Sequence, residues 1–160
     1  MKRLTLAALI LLALPVAGTA RKKDAPPPPP PPLPKSVDGL PIGALAPQTL
    51  APGTCAAFLW TLGDNQALVA MIGTSPALLR YAPGGTQTDL PQVSASGDVG
   101  FGLAKSSSFK AGDAEVSIDL TVEQRPDIKQ GAVIPQATLT LARAGEDVLV
   151  VPTVGLIGCR

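Results

Sequence analysis

The chain contains no histidine. That removes the commonest general base, the commonest transition-metal ligand and the one side chain that titrates near neutrality unaided. Aromatic residues are also scarce, at 3% of the sequence: Phe58, Trp60, Tyr81, Phe101 and Phe109. Platforms that stack bases or sugars need several aromatics on one surface, so both kinds of site are disfavoured. Charge is low, with 16% Asp, Glu, Lys and Arg, and it is unevenly placed. Residues 21–50 carry Arg21, Lys22, Lys23 and Lys35 against Asp24 and Asp38, whereas residues 51–160 hold 7 basic and 10 acidic side chains. An acidic C-terminal region lacks the positive surface that a phosphate backbone demands, and nucleic acid is not expected as a partner. Cysteine is limited to Cys55 and Cys159, too few ligands for a metal centre. No metal and no organic cofactor is expected.

What is present begins with a leader. Residues 1–20, MKRLTLAALILLALPVAGTA, contain the basic start Lys2-Arg3, the apolar run Leu4–Leu14 and the small-residue site Gly18-Thr19-Ala20 of a secretory signal. The run falls short of the roughly 20 apolar residues a spanning helix needs, and Pro15 and Gly18 interrupt its continuation. Cleavage after Ala20 and a periplasmic or secreted destination are expected. Arg21-Lys22-Lys23 oppose this, because positive charge resists export. If the leader is kept as an anchor, the membrane becomes a partner and the next segment a presented ligand.

That segment, residues 21–50, reads as a basic and proline-rich linker. Pro26–Pro32 are consecutive and Pro34 follows. Proline fixes φ and removes the backbone donor, so residues 26–34 are expected as a polyproline II rod, roughly 28 Å long at about 3.1 Å per residue. A stiff spacer is the favoured reading; a ligand for proline-recognising grooves is the other. From Ser36 to Pro52 the chain is a linker or a first irregular arm.

Residues 51–160 read as one β domain. In Glu115–Glu123, Val116, Ile118, Leu120 and Val122 alternate with Ser117, Asp119 and Thr121, the pattern of a strand with one face on a core and one in water. Ala137–Arg143 repeats it with Leu139 and Leu141 inward, and Asp147–Pro152 follows as its hairpin partner. Further strands are expected at Cys55–Gly63, Ala67–Gly73, Ala77–Ala82 and Val99–Lys105. Short strands separated by glycine-rich turns predict an all-β fold, a small antiparallel sandwich or a partly open barrel. Cys55 opens the first strand and Cys159 lies in the last. In an oxidising compartment a disulfide between them is the economical pairing, worth up to about 4.7 kcal/mol in the chain-entropy model.

Candidate chemistry is thin. Ser107-Ser108-Phe109-Lys110 matches S-x-x-K, whose acylation chemistry needs serine and lysine on adjacent helical turns. Here it precedes the turn Ala111-Gly112-Asp113, no K-T-G or S-D-N accompanies it, and a polar turn is expected. Asp113, Glu115, Asp119 and Glu123 fall on a turn and on the solvent face of one strand, whereas glycoside hydrolysis needs two carboxylates facing across a cleft. Asp64-Asn65 and Ala95-Ser96-Gly97-Asp98 read as turns, without the ligand spacing of a calcium loop. Gly84–Gly102 lacks the helix and lysine of a phosphate loop. Phe58 and Trp60 share one face of their strand, and Trp60 is expected as a core anchor.

The framework CAAFLW (Cys55–Trp60) and VPTVGLIGC (Val151–Cys159), with FKAGD (Phe109–Asp113) between, resembles small exported bacterial β-rich domains with a signal peptide and a low-complexity spacer. The resemblance implies the compartment and the disulfide, and no catalytic residue comes with it. The expected role is that of an exported, non-enzymatic envelope protein acting by binding or structural association, with envelope protein or cell-wall material as partner. Exposed strand edges would be its recognition device. An enzyme using carboxylates or Ser107 and Lys110, and an anchored protein presenting its prolines, are the alternatives.

Overall fold

The computed structural model describes residues 32–160; the leader and all but the end of the proline run lie outside the described residues. Eight strands follow in chain order: β1 (Cys55–Thr61), β2 (Leu68–Thr74), β3 (Ala77–Tyr81), β4 (Thr88–Gly100), β5 (Leu103–Ala111), β6 (Ala114–Glu123), β7 (Gly131–Arg143) and β8 (Leu149–Cys159). Each pairs antiparallel with its neighbour, and β1 pairs with β8. The sheet is therefore a closed up-and-down barrel, neither a sandwich nor a partly open barrel. The closing ladder runs from Cys55↔Cys159 to Thr61↔Thr153 and uses every residue of β1.

Alternation fills the interior. β6 sends Val116, Ile118 and Leu120 inward, and β7 sends Ile134, Ala137 and Leu139. Leu59, Leu79, Leu90, Phe109 and Val151 complete a single cluster with them. The interior is a packed core like that of a globular domain. The outside of β5 and β6 is polar: Ser106 donates to Asp119, Ser108 meets Ser117 at 3.2 Å and Lys110 pairs with Glu115 at 3.2 Å.

The chain before β1 is an arm fitted to the barrel. Val37 and Ile42 join the interior cluster, and Ile42 bridges Pro83 in the β3–β4 connection. A tight turn at Asp38-Gly39 brings Val37 back to Leu40, and both turn residues are left-handed (φ 52° and 77°), the conformation a type I′ turn requires. The arm then runs outside the barrel, where Leu45 and Leu50 pack over Ala56, Met71 and Ala82. Gln48 accepts a hydrogen bond from Arg80 Nη1 at 2.9 Å, while Arg80 is held by Asp89 through two bonds of 2.7 Å. Hydrogen bonding to Asp89 raises the Arg80 pKa, and bonding to Arg80 lowers that of Asp89.

The C-terminus is held on both sides. Cys55 and Cys159 form the expected disulfide across the closing ladder, with Cα atoms 4.0 Å apart. The Arg160 amide donates to Thr54 O at 3.0 Å, and its guanidinium donates to Leu50 O at 3.1 Å.

Several local expectations change. Val99–Lys105 is not one strand: β4 ends at Gly100, the chain turns at Phe101-Gly102, and β5 begins at Leu103. Ala95–Asp98 lies within β4 rather than in a turn. Ser107–Lys110 lies within β5 rather than in a polar turn.

Candidate functional site

Closure removes the strand edges expected to recognise a partner, because β1 and β8 satisfy one another. One stretch remains. The β3–β4 ladder ends at Leu78↔Pro91, so the hairpin of β4 and β5 continues past it with the outer edge of Gln92–Val99 unpaired by β3. Bulges at Gln92/Ser94 and Asp98/Gly100, together with the Asp98 charge, make that edge a poor template for another strand.

The S-x-x-K residues do not form a pair. On a strand, positions three apart project to opposite faces. Ser107 points inward, is 7% exposed and accepts a hydrogen bond from Gln92 Nε2 at 3.0 Å. Lys110 points outward to Glu115. Glu115, Asp119 and Glu123 share the solvent face of β6, and Asp113 sits in the β5–β6 turn, so these carboxylates do not face one another across a cleft.

The side chains that do converge are apolar and lie on the outer wall of β7, β8 and β1. Leu59 is fully buried in the core, which turns Phe58 and Trp60 outward instead of inward as expected. Register then sets them beside β8: Phe58 opposite Leu156, and Trp60 opposite Val154. On the other side of β8, Val133 of β7 also faces Leu156. The Phe58 and Trp60 rings are 6.2 Å apart and tilted by 38°. Leu156 is 47% exposed, Val150 on the same strand 57%, and Leu62 just after β1 60%.

Within this wall lies a shallow groove of about 470 Å³, lined chiefly by Trp60, Val133, Pro135, Val154 and Leu156. Its shape has a local cause. The register of β7 against β8 slips between Ile134 and Ala137, leaving Pro135 exposed, and that of β1 against β2 slips between Leu59 and Trp60. Bulges of this kind re-aim side chains and interrupt the regular pleat. Proline suits the unpaired position because it has no donor to contribute. The groove is lined by no charged side chain.

Sequence reasoning missed this wall because every residue from Cys55 to Trp60 except the terminal cysteine is apolar, so alternation gives no phase. A signal was present in β8: Val150, Val154 and Leu156 are large apolar residues set one position out of phase with the inward Val151, Thr153, Gly155 and Ile157.

Comparison with known proteins returned no matching family model, no matching curated protein and no matching solved structure.

Proposed function

We infer that this chain is an exported, non-enzymatic envelope protein that binds a protein partner through the outer wall of β7, β8 and β1. The observation that carries the reading is the contiguous apolar surface around Trp60, Val133, Val154 and Leu156 on a barrel whose core is already full. Contiguous exposed apolar surface with a polar surround is the mark of a protein contact. A tryptophan beside a groove is the type of residue that dominates such contacts. A protein suits the wall better than cell-wall polymer does, because the groove lacks the array of polar side chains that sugar hydroxyls need. The leader at residues 1–20 supports export, as does the resemblance of the Cys55–Trp60 and Val151–Cys159 framework to small exported domains.

The test compares the full chain with a Trp60→Ala, Leu156→Glu variant as bait for the envelope fraction of its host. The wild-type chain retains one envelope protein saturably, and the variant, with unchanged circular dichroism, loses at least about tenfold in affinity. Equal retention by both would remove the wall from the account.

A further inference from the structure

We propose that the protein met by the outer wall is a second copy of this chain, packed wall to wall about a two-fold axis that crosses β8 at Val154. The inference rests on the reading of that wall as a protein contact, and it names the partner. A two-fold contact lays one surface against itself, so the surface must be its own complement. A charge near its middle would meet its like. Among the described residues, β1 and β8 carry no charged side chain, and β7 carries only Arg143, its last residue. The middle of the wall is neutral and meets its copy without repulsion.

The ends of the wall carry opposite charge. Val154 is the middle of β8, five residues from Leu149 and five from Cys159. Asp147 precedes it by seven residues and Arg160 follows it by six. Neither has an ion pair among the described residues, and the Arg160 guanidinium donates to a backbone carbonyl, Leu50 O. The flanking strands repeat this polarity. Asp64 follows β1 at the Asp147 end and Lys129 precedes β7 at the Arg160 end, again without ion pairs among the described residues. Arg143, at the acidic end, is matched by Glu146 at 3.5 Å and Asp113 at 3.8 Å; Arg125, at the basic end, is matched by Asp127 at 3.3 Å.

That polarity selects the axis. A two-fold running along β8 would set like ends together. A two-fold running across β8 reverses the strand and sets each acidic end against the basic end of the other copy. Trp60 is the register partner of Val154, so it lies on this axis and packs against its counterpart. A half-buried indole thereby becomes the centre of the contact, where such residues contribute most. The carboxylates of β6 lie two strands round the ring from β8. Packed sheets cross at about 30°, so the surfaces are closest along the axis and the charged ends face one another at longer range. Exposed charges of this kind fix orientation more than they add affinity.

The experiment measures sedimentation of the full-length chain over a wide range of concentration, together with the fluorescence of Trp60, the only tryptophan. A reversible monomer–dimer equilibrium is expected, with the Trp60 emission moving to the blue at the same midpoint concentration. Leu156→Glu should weaken dimerisation at least about tenfold. Asp147→Lys should weaken it about threefold to tenfold, because the two-fold doubles each contact, and adding Arg160→Asp should return it to within about twofold of wild type. Melting curves taken below the midpoint concentration, where every variant is a monomer, separate folding from association and should match. A dimer that Leu156→Glu breaks and Asp147→Lys leaves intact contradicts the axis across β8. A dimer indifferent to Leu156→Glu, or a chain that stays monomeric to millimolar concentration, overturns the proposal. The capture experiment with the envelope fraction then shows which reading failed: saturable retention of a different protein through Trp60 and Leu156 means another partner on the same wall, and no retention removes both.

Discussion

Leu59 and Trp60 are neighbours with opposite assignments, and the difference is open to measurement. Leu59 is fully enclosed by the core, so Leu59→Ala should cost about 2–5 kcal/mol in denaturant unfolding. Trp60 packs outside the barrel with part of its ring in water, and Trp60→Ala should cost about 1 kcal/mol. Had the tryptophan been the core anchor expected of it, the order would be reversed. The sequence could not separate these two because both are large and apolar and their neighbours are too; only pairing with β2 and β8 fixes which side faces in. Tyr81 was opaque for another reason. Its burial comes from the core cluster that it joins, and its surroundings include Pro41, Val116 and Leu141, which are far from it in the chain.

The most legible elements are those whose two faces differ in polarity. Strand β6 was readable almost to the residue, because Val116, Ile118 and Leu120 alternate with Ser117, Asp119 and Thr121. The end of β7 was readable for the same reason, with Leu139 inward as expected, and the turn at Ala144-Gly145-Glu146 marked its hairpin with β8, whose own faces do not differ in polarity. Strand β4 was not, since Ser94–Gly97 has small residues and a glycine where alternation would normally show, and those residues equally describe a turn. The segment before β1 was ambiguous between linker and arm. Ile42 decides it: fully buried and bridged to Pro83, it contributes to the core although it lies outside every strand. Ile42→Ala should lower stability by about 2–5 kcal/mol. A substitution in a free linker would stay within about 0.5 kcal/mol. Unfolding midpoints in denaturant distinguish the two outcomes.

For the molecule as a whole, closure is the property that sequence could approach but not reach. Eight short antiparallel strands can stack as two sheets or bend into a ring, and the choice rests on whether the first pairs with the last. The cysteines pointed toward that pairing without establishing it, since a disulfide links chain ends in sandwiches as well. In the barrel, Cys55 and Cys159 are direct ladder partners and tie the seam where the ring closes. Breaking a link across 104 residues frees the unfolded chain and loosens the seam in the folded one. Reduction should lower the melting temperature by about 10 °C, taking the usual 2–4 kcal/mol for such a bond. A melting curve indifferent to reductant would mean that the β1–β8 ladder closes the barrel without it.

Closure also reshapes recognition. With β1 paired to β8 and its interior packed, the barrel presents a partner with outer walls and with the part of the β4–β5 hairpin that extends past β3. Among the walls, the one formed by β7, β8 and β1 is apolar where β5 and β6 are polar. The most direct test of the account is a photocrosslinking scan in the living host, with a photoreactive residue placed in turn at Val133, Val154 and Leu156 on one wall and at Ser108, Ser117 and Thr121 on the other. The account predicts a single discrete envelope-protein adduct from the first three positions and none from the others. Adducts arising from the polar wall, with Val133, Val154 and Leu156 silent, would contradict it.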